Sequence, residues 1–150
     1  MRLTSLAFAD KLPIPSKYTC NGQNISPPLE FIDAPEDTVT FVLIVEDMDS
    51  INKSLHWIVY NIPGDVTHFD EGEIPEGSID GISGSGIHGY DGPCPKYFHG
   101  VHRYKFALFA LDTELDLPVT ATADDVIRAM TSHILESVEL TGIAEGEMTR

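Results

Sequence analysis

Three runs of β-branched and aromatic residues constrain this chain more than any other feature of its sequence. Val39-Thr40-Phe41-Val42-Leu43-Ile44-Val45 lies between Pro35 and the acidic stretch from Glu46, and its length and composition predict a strand covered on both faces. His56-Trp57-Ile58-Val59-Tyr60-Asn61-Ile62 is a second, stopped by Pro63-Gly64. Tyr104-Lys105-Phe106-Ala107-Leu108-Phe109-Ala110-Leu111 is a third, and a weaker strand reads from Ser137 to Ile143. Pro13, Pro15, Pro27 and Pro28 exclude helix from the opening third and confine any strands there to sheet edges. One segment reads as helical. Thr122 can cap Ala123 to Met130, and Asp125 stands three residues after the cap, where its carboxylate reaches back and meets the positive helix end. Val126, Ile127, Met130 and Ile134 form one apolar stripe, which predicts a helix packed on a sheet and free of chemistry. Several strands, many turns and one late helix predict a mainly β, antiparallel architecture.

The chain has 150 residues, the size of one ordinary domain at about 100–200 residues each, and residues 1–150 read as a single domain without repeat, low-complexity tract or linker. Lys and Arg number 9 against 24 Asp and Glu, a net charge of −15. So negative a surface repels phosphodiester backbones and anionic headgroups, which excludes a general nucleic-acid or membrane-surface binder. No stretch approaches the roughly 20 apolar residues of a membrane helix, and the apolar run after Met1 is too short for a signal peptide. The expectation is a soluble, cytoplasmic protein. Cys20 and Cys94 are the only cysteines; so far apart, and in a cytosol, they read as reduced, partly buried small hydrophobes. Pairing them would close a long loop, adding about 4 kcal/mol in the chain-entropy model. Zinc is not expected, because no CxxC or HxxxH pair is present.

Groups able to do chemistry gather at strand ends and loops, where a rigid scaffold presents side chains to solvent. Asp47-Met48-Asp49 follows the first strong strand and His56 opens the second. Gly89-Tyr90-Asp91-Gly92-Pro93-Cys94-Pro95 lies in a loop carrying eight glycines between Gly72 and Gly100, and His102-Arg103-Tyr104 leads into the third strand. The stiffness of Gly92-Pro93-Cys94-Pro95 predicts that this loop is ordered. Taken singly, each is weak: a lone histidine at a strand start is more often a surface or satisfied core residue, Asp-x-Asp is commonly a solvated turn, and Gly-Pro-x-Pro is commonly a stiff loop.

Together, and with Tyr18-Thr19-Cys20-Asn21-Gly22-Gln23-Asn24-Ile25-Ser26-Pro27-Pro28-Leu29 before them, these blocks closely resemble the phosphatidylethanolamine-binding protein family, in the bacterial and archaeal branch related to Raf kinase inhibitor protein. The resemblance runs from about Thr4 to Thr141. It implies a β-sandwich-like fold of two antiparallel sheets with a short helix in the C-terminal region. It also implies a small anion pocket built from Asp47, His56, Gly92, Pro93, Pro95, His102 and Tyr104, and a homodimer. Where the family has Pro, Ala and Pro after its first aspartate, this chain has Met48, Ser50 and Ile51, which leaves that loop freer.

An oxyanion needs donors, and two imidazoles, a phenol and the amides of a Gly-rich loop can supply them. Asp47 would oppose an anion unless hydrogen-bonded, so it is expected to orient His56 or to meet a ligand amine. Strand alternation points Arg103 away from His102 and Tyr104, toward a structural ion pair. The remaining histidines, His68, His88, His99 and His133, read as surface residues. The functional expectation is a non-enzymatic binding module with a regulatory role, for a small anionic or phosphorylated ligand such as a phospholipid headgroup, with no metal or cofactor. One alternative is an inhibitor whose protein partner is a kinase or protease. Another is a hydrolase using Asp47, His56 and His102 with a metal or as an acid–base set. No Gly-x-Ser-x-Gly elbow is present, and Cys94 is the one candidate nucleophile.

Overall fold

In a computed structural model describing residues 1–149, all four expected runs fold as strands: the second and fourth extend at both ends, the third at its start, and the first begins one residue late and runs on to Asp47. In chain order the strands are β1 (Arg2–Thr4), β2 (Leu12–Pro13), β3 (Leu29–Ile32), β4 (Thr40–Asp47), β5 (Leu55–Pro63), β6 (His68–Phe69), β7 (Ile79–Asp80), β8 (Val101–Leu111) and β9 (Ile134–Glu145), with helix α1 (Ala123–Met130) between the last two. They form a three-stranded sheet in the order β1-β3-β6 and a six-stranded sheet in the order β2-β9-β8-β4-β5-β7. Every pairing is antiparallel except that of β2 with β9. The proline-rich opening third contributes short strands, with β2 at a sheet edge as its proline requires, and one 3-10 turn at Ser16–Tyr18 directly after Pro15; β3, which itself holds no proline, lies between β1 and β6 and not at the edge expected for it.

The larger sheet is covered on both faces, which is why β4 and β5 read as unbroken apolar runs. One face packs Phe41, Leu43, Val45, Trp57, Val59 and Phe106 against Leu3, Leu29, Phe31 and Phe69 of the smaller sheet. The opposite face packs Val42, Ile44, Ile58 and Tyr60 beneath α1 through Val126 and Met130. The expected stripe is therefore narrower in fact. Ile127 is half-exposed, and Ile134 already belongs to β9. The helix begins as its sequence dictates: the Thr122 hydroxyl accepts the Asp125 N–H while the Asp125 carboxylate accepts the Thr122 N–H, a reciprocal cap. No helix among the described residues is long and apolar enough to cross a membrane.

The cysteines correct the sequence reading. Cys20 and Cys94 form a disulfide with their Cα atoms 5.0 Å apart. Tertiary hydrogen bonds lay the two segments side by side: the Cys20 N–H donates to the Pro93 carbonyl at 2.9 Å, the Tyr90 hydroxyl to the Tyr18 carbonyl at 2.7 Å, and the Gly92 N–H to Asn24 Oδ1 at 3.0 Å. A sequence separation of 74 conceals a neighbourhood of this kind.

Candidate functional site

The site begins with two local features of the central strands. Opposite β4, Val45 pairs with Trp57 and Glu46 with Leu55, so His56 is the extra residue of a β-bulge, a device that re-aims a side chain out of the pleat. On the other flank, Asp47 pairs with Tyr104, and His102, two residues earlier on β8, shares the face of Tyr104. Strand register alone thus brings Asp47, His102 and Tyr104 together.

Both imidazoles are held by their Nδ1 atoms. His102 Nδ1 donates to Asp47 Oδ2 at 2.6 Å, and His56 Nδ1 donates to the Asp91 carbonyl at 2.5 Å. A carboxylate and a carbonyl can only accept, so both neutral rings carry the proton on Nδ1 and present a bare Nε2. The His102 ring stacks on Phe98 with centroids 3.9 Å apart, and the His56 ring meets Tyr104 edge to face at 5.1 Å. Burial and the negative charge of Asp47 push the Tyr104 hydroxyl well above the usual phenol range, so it stays protonated and able to donate.

Asp47 therefore orients His102, whereas the sequence reading had it orient His56 or meet a ligand amine. Its other oxygen accepts the backbone N–H groups of Asp49 at 2.9 Å and Ser50 at 3.2 Å. Ser50 Oγ also bonds the Asp47 carbonyl and Ser54 Oγ. These bonds hold the loop that lacks the family's prolines. Arg103 takes the structural ion pair expected for it: Nε and Nη2 fork onto Asp49 at 2.9 and 3.0 Å. The hydrogen-bonded guanidinium holds the Asp49 carboxyl below the usual carboxylate range.

Asp47, Asp49, His56, His99, His102 and Tyr104 all line one cavity of about 580 Å³. Its remaining wall comes from Ser50, Ile51, Cys94, Tyr97, Phe98 and Met148. Gly92, Pro93 and Pro95 build this wall from behind without lining it. A Cβ on Gly92 would lie 2.3 Å from the Tyr18 carbonyl oxygen, and its N–H is already committed to Asn24. The Pro93 and Pro95 carbonyls accept from Cys20 and Glu147. His99, read as a surface residue, is exposed but lines the cavity. Met148 went unnoticed because no local signal marks it. It arrives through tail bonds from Gly146 N–H to the Gly100 carbonyl and from Met148 N–H to the Phe98 carbonyl.

The sequence model of the phosphatidylethanolamine-binding protein family matches residues 4–145. The chain belongs to this family. Among its relatives are a UPF0098 protein of Methanothermobacter thermautotrophicus, 46% identical over 95% of this chain and 97% of that protein, and one of Pyrococcus horikoshii, 39% identical over 94% and 75%. The phosphatidylethanolamine-binding protein fold is equally evident in solved structures. A homologue from Chlamydia trachomatis superposes with a TM-score of 0.90 at 39% identity, covering 97% of each chain. Escherichia coli YbcL, a member of the mammalian phosphatidylethanolamine-binding protein family, gives 0.88 at 27% identity over 97% and 98%.

Proposed function

We propose that this family member is a non-enzymatic binding module whose cavity takes a small oxyanion, such as the phosphate of a phosphorylated ligand or headgroup, in a regulatory role. The observation that carries the reading is the pair of imidazoles, His56 and His102, anchored through Nδ1 with Nε2 left for one cavity. A bare Nε2 repels an anionic oxygen, whereas a protonated Nε2 donates to it with charge assistance. Proton uptake and anion binding are therefore coupled. Asp47 and Asp49, the acidic groups facing the cavity, would oppose an anion, but each is engaged by cationic or N–H donors. The Tyr104 hydroxyl adds a neutral donor, and His99 adds a third imidazole at the mouth.

Titration calorimetry with inorganic phosphate tests this reading. Affinity should be higher with the imidazoles protonated than with them neutral, and so higher toward the acid end of the range in which histidine changes charge. His56→Ala and His102→Ala should each weaken binding by about 1.5–3 kcal/mol. Flat affinity between about pH 5 and 8, spanning the imidazole range, defeats the proposal.

One observation favours a second reading, an inhibitor acting by contact with a kinase or protease. Ile51 is fully exposed, Tyr97 73% and Met148 51%, and all three line the same cavity. Exposed apolar side chains around a polar floor suit a protein contact. Partner inhibition that persists under saturating phosphate would favour this reading over a plain anion pocket. A cytoplasmic location would set the Cys20–Cys94 bond against that compartment's thiol pool.

A further inference from the structure

The Cys20–Cys94 bond lies outside the hydrophobic core. Both residues are partly exposed, and Cys94 lines the cavity that holds His56 and His102. It is also the only covalent tie between the loop walling the cavity and the 3-10 segment behind it. A disulfide enclosed in a core is shielded from attack, whereas an accessible one is open to thiol exchange. We propose that this bond is a thiol-exchange site, entered through the cavity by small thiols that carry an anionic group, and that its opening releases the cavity wall. The preference for an anionic thiol rests on the oxyanion reading above; the accessibility of the bond does not.

The chemistry balances without another reactant. The thiolate of an entering thiol attacks Cys94 Sγ, a new sulfur–sulfur bond forms there, and Cys20 leaves as a thiolate that takes a proton from water. A second molecule of the same thiol attacks the sulfur of the first, releasing Cys94 as a thiolate and the small thiol as its own disulfide. Two thiols are oxidised to one disulfide and the protein disulfide is reduced to two thiols. Cys94 immediately precedes the Pro95–Tyr97 3-10 turn, which leads into Phe98, the stacking partner of His102. Opening the bond thus frees the support of a ring that positions the site. What remains between the segments is hydrogen bonding, with Cys20 to Pro93 and Gly92 to Asn24 among the bonds.

The net charge of −15 makes the discrimination sharp. The surface as a whole repels an anionic thiol, so such a thiol outpaces a neutral one only if the cavity gathers it locally. The test exposes the oxidised full-length chain to 2-mercaptoethanesulfonate or 2-mercaptoethanol at equal thiolate concentration, near the ordinary imidazole pKa of about 6.5. Acid-quenched samples are read by intact mass and peptide mapping. The expected adduct sits on Cys94, forms about tenfold faster with the sulfonate, is slowed by phosphate only for the sulfonate, and loses that advantage in His56→Ala. An adduct on Cys20, or a faster neutral thiol, overturns the proposal. If phosphate binds in a separate titration without slowing the sulfonate, the cavity route is overturned and the oxyanion site stands. If phosphate does not bind at all, the oxyanion site is overturned, and the anionic preference with it.

Discussion

Asn61 carries more of the architecture than its place in an apolar strand suggests. Its backbone is left-handed, with φ of 52°, a conformation asparagine tolerates better than branched residues do. From there the buried amide donates to the Leu115 carbonyl at 2.8 Å and accepts the Leu115 N–H at 2.8 Å, satisfying a loop that crosses the sheet end. Asn61→Ala should leave both Leu115 groups unpaired, at about 1–3 kcal/mol each, visible as a lower midpoint in urea unfolding with an unchanged slope. Read as sequence, Asn61 was one more letter of a strand, because its partner lies 54 positions away. Asp47 teaches the same lesson for the site. Its type and its place after a strand were legible, and so was its need of a donor. The choice of His102 over His56 depends on the register of β4 with β8, which no local pattern encodes. Arg103 came out as expected because strand alternation is a local rule.

At the scale of elements, legibility follows locality. The start of the helix was readable to the residue because its reciprocal cap spans four consecutive positions. Thr122→Ala should therefore destabilise the chain by about 0.5–2 kcal/mol, measured as a drop in Tm, while Thr122→Ser should be close to neutral. The strong strands were readable from composition to within a few residues, and the weaker one ran on furthest: β9 begins at Ile134, three residues before the expected Ser137. The three 3-10 turns at Ser16–Tyr18, Pro95–Tyr97 and Thr131–His133 and the short strands β6 and β7 were not readable, since two or three residues make no periodic signal. The cavity wall is legible only in part. Its Gly-Pro loop is recognisable, yet the residues that face inward, Tyr97, Phe98 and His99, follow it, and the disulfide and tail that brace them come from distant parts of the chain.

For the molecule as a whole, the excess of acid sets the response to solution conditions. Fifteen uncompensated negative charges repel one another in the folded chain more than in the extended one, so added salt should raise Tm at neutral pH by screening. The gain should shrink as the pH approaches the carboxylate range and the net charge falls. Below that point the sign reverses for particular groups. Asp49 is held low by hydrogen bonds from Arg103, Glu71 by those from Tyr18 and Lys17, and Asp125 by those from Thr122. Each has a folded pKa below its unfolded one. Their stabilisation is present above the ordinary carboxylate pKa of about 4 and is lost as pH falls through the lowered values. Thermal melts from about pH 5 down to about 2, across that range, should show a falling Tm, and Asp49→Asn should flatten part of the slope. The glycine-rich loop has one more consequence at this scale. It pairs only two residues with β5 as β7, yet its amides at Gly81, Gly84 and Asp91 also donate to the Ile58, Leu55 and His56 carbonyls along the same flank. The loop therefore doubles as a selvedge: trim it, and a nine-residue apolar border would lie open for a neighbouring molecule to stitch onto, turning a monomolecular fold toward fibrous self-assembly.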